Sequence, residues 1–267
     1  MSLAATLDRP TRPGGARLLV LRHLWVLRKR RPWTLIVNGI FEPFLYLVSI
    51  GVGIGALVGS ITDDSGRTVP YAAFVAPAML ATSAMNSAVN ETTGSIWMRL
   101  RFEKVYDAII TTPMTTTDIA IGEVVAALLR GGLAAVCFLG VIAALGLLSS
   151  AWALLMIPAS LLIAFAFSAA GLATATYLRD FHHHQYLQLV MLPMFLFATT
   201  FYPLSVYPAP LRAFVVCLPL YQSTELLRGL ALGQLTPHLL IAVLYLSAMG
   251  AFGLWLAARR LGRMMLT

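Results

Sequence analysis

Long apolar runs separated by short polar breaks dominate the pattern along this chain. They predict a series of helices long enough to cross a bilayer, since about 20 apolar residues suffice. The runs predict span one over Trp33–Gly59, span two over Pro70–Ile96 and span three over Ile119–Leu148. Span four follows over Trp152–Leu178, span five over Tyr186–Phe201 and span six over Pro237–Ala258. Gly51, Gly53, Gly55 and Gly59 permit close helix contact in span one, and Pro77 predicts a kink in span two. The stretch Tyr202–Gln234 is broken by Pro203, Pro208, Pro210 and Pro219, too apolar for a loop and too interrupted for a span. It predicts short re-entrant helices, whose backbone must be covered by protein.

One polar interruption has a helical period of its own. From Arg101 to Ile110, Phe102, Val105, Tyr106, Ile109 and Ile110 fall in an arc of roughly 140°. Arg101, Glu103, Lys104 and Asp107 fill the opposite arc. Thr111-Thr112-Pro113 stops this helix, because the residue before a proline is driven away from the helical region. Thr117 or Asp118 is placed to cap span three. An amphipathic helix tied at both ends to membrane spans suits docking on a surface or on a partner that delivers force. At the chain start, residues 17–32 predict a greasy interfacial helix whose arginines snorkel to head groups, with Trp25 at the boundary.

Composition agrees with a polytopic membrane protein: 59% of residues are hydrophobic and 11% charged, against about 25% charged in soluble domains. The arginine-rich first 32 residues lack the short apolar core and small-residue cleavage site of a signal peptide. The formal charge of +8 does not indicate nucleic acid, because placement explains it. Of 19 Lys and Arg, fifteen lie in residues 1–31, 97–118, Arg179 and the tail at Arg259, Arg260 and Arg263. Arg67, Arg212 and Arg228 fall on the other side, and Arg130 lies within span three. This excess predicts cytoplasmic termini and a cytoplasmic amphipathic helix. The expected division is a tail and interfacial helix over 1–32, a six-span domain over 33–258 and a cytoplasmic tail over 259–267.

Candidate chemistry is sparse. Cys137 and Cys217 lie in apolar surroundings without CxxC spacing and are expected to be free thiols. His182-His183-His184 cannot all face one ion, and apart from Asp180 no acid completes a metal shell, so no metal is expected. There is no Gly-x-Ser-x-Gly elbow. The lysines are Lys29 and Lys104, neither after a glycine, so no phosphate-binding loop of the Gly-Lys kind is present. ATP-driven work therefore requires another polypeptide, and no catalytic residue and no cofactor of the chain's own are expected. Glu42, Glu91, Glu123 and Glu225 sit at or near membrane boundaries and are expected to serve helix-end pairing or partner contact. An ion-coupled carrier or intramembrane enzyme using Glu42, Glu91 and Glu123 stays open as the alternative. Phe197, Phe201, Tyr202 and Tyr221 belong to an outward aromatic run that suits either an interfacial belt or an amphiphilic cargo.

Four places carry a family resemblance. They are Phe41-Glu42-Pro43, the run Pro77–Glu91, and Tyr106-Asp107-Ala108-Ile109 with Thr112-Pro113-Met114 and Asp118-Ile119-x-x-Gly122-Glu123. The fourth joins Phe201-Tyr202-Pro203-Leu204, Leu218-Pro219-Leu220-Tyr221 and Glu225-Leu226-Leu227-Arg228. With these the chain resembles the membrane permease subunit of type-2 ABC exporters, the branch of nodulation lipo-oligosaccharide and daunorubicin-type drug exporters. The resemblance implies an all-α membrane fold with an N-terminal interfacial helix, a coupling helix and re-entrant helices between spans five and six. It further implies a bacterial plasma-membrane location, a second permease copy or paralogue, and two cytoplasmic ATPase subunits that bind ATP and Mg. Contact with the ATPase falls, on this resemblance, to residues 99–113, with Arg99, Arg101, Glu103, Lys104, Asp107 and Pro113 as coupling residues. The cargo would be an amphiphile (drug, lipid or lipid-linked glycan) moved outward along the permease interface. Tyr221-Gln222 stand where relatives often carry a histidine, so no role of that histidine transfers.

Overall fold

A computed structural model describes residues 21, 44–45, 47–95, 98, 115–148, 150–178 and 183–265. Glu42, residues 99–114 and His182 lie outside the described residues, and with them the expected interfacial and coupling helices.

The end of the stretch expected as span one is a π-turn over Ser49–Ile54 running into the short α1 (Gly55–Val58). Gly59 stops it at φ +68°, a left-handed conformation that costs glycine little, and its N–H bonds the Gly55 carbonyl at 2.8 Å. The next residues form a hairpin, a correction to the all-α expectation. β1 (Ser60–Thr62) pairs antiparallel with β2 (Thr68–Pro70), Ile61 opposite Val69. Pro70 then leads straight into α2 (Tyr71–Asn90), which carries Pro77 buried in its interior.

Instead of continuing to Ile96 as an α-helix, span two passes into a π-turn over Glu91–Ser95. The Thr92 and Thr93 hydroxyls donate back to the carbonyls of Ala88 and Val89. Such back-bonding competes with the regular ladder and accompanies bends. α3 (Thr116–Ala144) follows, starting three residues before the expected Ile119. A 3₁₀ turn (Ala151–Leu155), capped by Ser150, feeds α4 (Met156–Ala175). Then come α5 (His183–Phe197), α6 (Ala209–Val216), α7 (Pro219–Leu232) and α8 (Pro237–Met265).

Among the described residues four helices are long and apolar enough to cross a membrane: Tyr71–Gly94, Thr117–Ala144, Ala151–Ala175 and Pro237–Arg263. They answer to expected spans two, three, four and six. α5 is apolar, but its 15 residues reach only roughly 22 Å against a hydrocarbon core of about 30 Å. α6 and α7 are shorter than a span, as the proline spacing predicts. α8 runs past the expected Ala258, so Arg259, Arg260 and Arg263 lie on the helix itself.

α4 is the central element, packed against α2, α3, α7 and α8. Its sequence is apolar on every side, with alanine, glycine and serine at the tight contacts, and α8 meets it backbone to backbone. A Cβ at Gly253 would lie 2.8 Å from the carbonyl carbon of Ala169 and 2.9 Å from the Ala170 nitrogen. No rotamer change relieves a clash with backbone, so glycine is required there. The main core gathers Phe74, Leu80, Met85, Phe138, Ile163 and Leu227; a second cluster joins Ile119, Val124, Leu172, Ala257 and Leu261 at the opposite end.

Candidate functional site

Two polar constructions frame this bundle, one at each end. The first brackets residues 96–114, between the π-turn and α3. On the entry side, Glu91 forms an ion pair with Arg130 of α3, at 25% and 20% side-chain exposure. The pair joins elements 39 residues apart in sequence. Beside it, Asn90 accepts a hydrogen bond from the Gln188 amide of α5 at 2.9 Å. Thr92 is seated against Gly171 of α4, where a Cβ would strike the Thr92 hydroxyl. On the exit side, Thr115 caps α3. Its hydroxyl accepts the Asp118 N–H at 3.2 Å, and Asp118 accepts the Thr115 N–H at 3.0 Å. This reciprocal capping box uses Thr115, not Thr117, with Asp118 as its third helical residue. Asp118 is buried, as is Glu123 one turn further on. Both strands of chain entering and leaving 96–114 are thus fixed to α3 and α4.

Arg130 as the partner of Glu91 is not visible in local spacing; the nearest acid on its own helix face is Glu123, seven residues away. The usable signal is rarity. Arg130 is the one Lys or Arg inside a predicted span, and such residues pair across helices. Its Nε is buried without a hydrogen-bond partner.

The second construction closes the hairpin end. Asp64 accepts the backbone N–H groups of Leu204 and Ser205 at 2.9 and 3.0 Å, pinning the 3₁₀ turn Leu204–Val206 to the hairpin. Arg212 ties the same loop from below by donating to the Tyr207 and Ser205 carbonyls at 2.7 and 2.6 Å. Asp63 accepts from Ser65 and from the Gln234 amide, the latter at 2.6 Å. Burial pushes the Asp63 carboxyl up, but the bonds from Ser65, Gln234 and the Arg67 N–H outweigh it and hold its pKa below 3.8.

A depressed folded pKa contributes stability above the unfolded value of 3.8, and that contribution is lost as pH falls through the lower folded value. At pH 7, Asp63→Asn should lower the Tm by about 2–4 °C. In thermal scans the gap to wild type should close below about pH 4. A gap independent of pH would show that the Asp63 charge is not what Gln234 and Ser65 hold.

Beneath this cap lies Arg228 of α7, 5% exposed although its chain position predicts an outward charge. It pairs with Glu225 at 2.6 Å, donates to the Thr199 carbonyl at 2.7 Å and stacks 3.8 Å from the Phe74 ring centroid. Thr199 has φ +56°, rare for a β-branched residue, at the point where the chain leaves α5. Arg228 therefore holds together α2, α7 and the α5 exit. The i,i+3 spacing of Glu225 and Arg228 carried that signal in the sequence.

Of the aromatic candidates, Phe197 and Tyr202 gather around Tyr207, at 6.3 and 5.2 Å between ring centroids. The Tyr207 hydroxyl lies within hydrogen-bond reach of the Phe197 carbonyl at 3.2 Å and of the Tyr202 hydroxyl at 3.0 Å. Phe201 stacks edge-on against Phe195 at 5.4 Å. Tyr221 is half-buried on α7, packed against the main core. Glu42, Arg99, Arg101, Glu103, Lys104, Asp107 and Pro113 lie outside the described residues.

Helices long and apolar enough to cross a bilayer, framed by polar constructions at both ends, define a membrane protein. The ABC-2 type transporter family model matches residues 17–232, and the chain belongs to that family. Nodulation protein J of Rhizobium leguminosarum bv. viciae is 29% identical over 229 residues, 84% of this chain and 86% of the relative. Nodulation protein J of Rhizobium meliloti (strain 1021) is 28% identical, covering 83% of each chain. That of Bradyrhizobium diazoefficiens is 30% identical over 198 residues, 74% of each. Family and relatives support a membrane component of an ABC exporter rather than an enzyme, and membership implies partnering with an ABC ATPase subunit.

Proposed function

We propose that this chain is the permease subunit of an exporter in the bacterial plasma membrane, moving an amphiphile outward with ATP hydrolysed by a separate polypeptide. The observation that supports it most is the double anchoring of residues 96–114. The Glu91–Arg130 pair holds one end and the Thr115–Asp118 box the other. A helix over Arg101–Ile110 pushed by a partner would move its neighbours instead of flexing freely. In this reading Arg99, Arg101, Glu103, Lys104, Asp107 and Pro113 form the partner-facing surface, on the cytoplasmic side where Lys and Arg are concentrated. ATP and Mg belong to the ATPase, present in two copies beside a second permease, and residues 1–32 lie along the membrane surface. Glu42 and the other boundary acids serve pairing.

The cargo leaves past the aromatic outer end formed by Phe197, Phe201, Tyr202 and Tyr221, beneath re-entrant α6 and α7. A drug, a lipid and a lipid-linked glycan all fit such a path. Co-reconstitution with the ATPase tests this. Transport should vanish when the ATPase phosphate loop is inactivated; persistence would favour the ion-coupled carrier. Reversing Glu103 and Asp107 to lysine should cut cargo-stimulated ATP hydrolysis by about tenfold, which corresponds to about 1.4 kcal/mol of lost docking free energy. Unchanged stimulation with normal insertion would remove these residues from the contact.

A further inference from the structure

The last two turns of α8 form a cavity that the transport reading does not use. Its volume is about 280 Å³, and Tyr177, Trp255, Leu256, Arg259, Arg260 and Arg263 line it. All of these lining residues except Tyr177 lie beyond residue 232, where the family match stops. No carboxylate is among these lining residues. We propose that this cavity binds the phosphate of an anionic membrane phospholipid.

Three observations carry the assignment. First, two of the guanidinium groups are backed by aromatic rings. Arg260 sits 3.7 Å from the Tyr177 centroid and Arg259 5.3 Å from that of Trp255. Stacking occupies a guanidinium face and leaves its N–H edge to bond a planar pair of oxygens, the geometry phosphate offers. Second, the Arg260 Nε is buried without a hydrogen-bond partner, so the guanidinium that lines the cavity is not fully satisfied within the chain. Third, the depth suits a head group. The 27-residue span Pro237–Arg263 is roughly 40 Å long against a hydrocarbon core of about 30 Å, so its final turns stand among head groups. One turn below, Phe252 and Trp255 are 63% and 54% exposed with ring centroids 5.9 Å apart, a platform along which acyl chains lie. A free phosphate would use the guanidinium edges but not this platform.

The test uses the full chain in vesicles of phosphatidylcholine containing either brominated phosphatidylglycerol or brominated phosphatidylcholine at equal fraction. Trp255 quenching is read as the difference between the wild-type protein and Trp255→Phe. The anionic lipid should occupy the site about fivefold or more in preference to the neutral one, the scale set by a single arginine at a membrane surface. Arg259→Gln/Arg260→Gln should abolish the preference. Arg259→Lys/Arg260→Lys keeps the charge but loses the stacked edge, and should forfeit most of it. Equal quenching by the two lipids would overturn the site, and so would a preference that survives in the lysine variant, since surface charge alone would then explain it. A preference erased by excess inorganic phosphate would assign the cavity to the free ion instead of the lipid.

Discussion

Replacing Arg130 with glutamine is expected to reduce ATP-driven transport by about an order of magnitude or more, with the chain still inserted and folded. Arg130 meets Glu91 across two helices, and both side chains are about three-quarters covered. Exposed ion pairs contribute about 0–1 kcal/mol and buried ones cost about 3–5 kcal/mol to break. This pair lies between, so roughly 2 kcal/mol separates the anchored from the released π-turn, about thirtyfold in the local equilibrium. The hydrophobic core does not depend on it, because the residues around Phe74, Met85 and Phe138 pack elsewhere along α2 and α3. Transport should therefore fall much further than stability. Cargo flux into proteoliposomes and thermal unfolding of the same preparation separate the two.

The second large effect is structural. Arg228→Met should lower the Tm by roughly 4–12 °C in detergent, from about 2–3 kcal/mol lost when the buried guanidinium no longer bonds the Thr199 carbonyl and its half-exposed partner Glu225. Methionine fills the space over Phe74 but leaves the Thr199 carbonyl and the Glu225 carboxylate without their donor. Thr199, at φ +56°, would then lose what holds it there. Lysine should rescue only partly, because a single ammonium cannot reach Glu225 and Thr199 while stacking on Phe74. A melting curve unchanged in Arg228→Met would show that Arg228 does not secure this junction.

Much of the bundle was legible because its determinants are local. Apolar runs give α2, α3, α4 and α8, and proline spacing gives the short α6 and α7. What escaped depended on distant or subtle partners. The hairpin was missed because Ser60–Thr62 and Thr68–Pro70 are too short for an alternating pattern to register. The true cap, Thr115, was passed over for Thr117 or Asp118, although Thr-x-x-Asp is itself a capping-box pattern. The arginines mark a boundary at Ala258 in the sequence, yet Arg259 and Arg260 stack on Trp255 and Tyr177 within the helix. Glu91 was recognised as a boundary acid, but its partner lies 39 residues away and only the folded chain brings them together.

In the proposed mechanism, force enters at residues 96–114 and reaches the spans through their anchored ends. The measurement that addresses this most directly is the ATP hydrolysed per cargo moved in the reconstituted complex. It is compared across wild type, Glu91→Arg, Arg130→Glu and the doubly swapped chain. Each single substitution should leave ATP hydrolysis near wild type while transport collapses, and the swapped pair should recover much of the lost coupling. Single variants that keep the wild-type ratio would contradict the account.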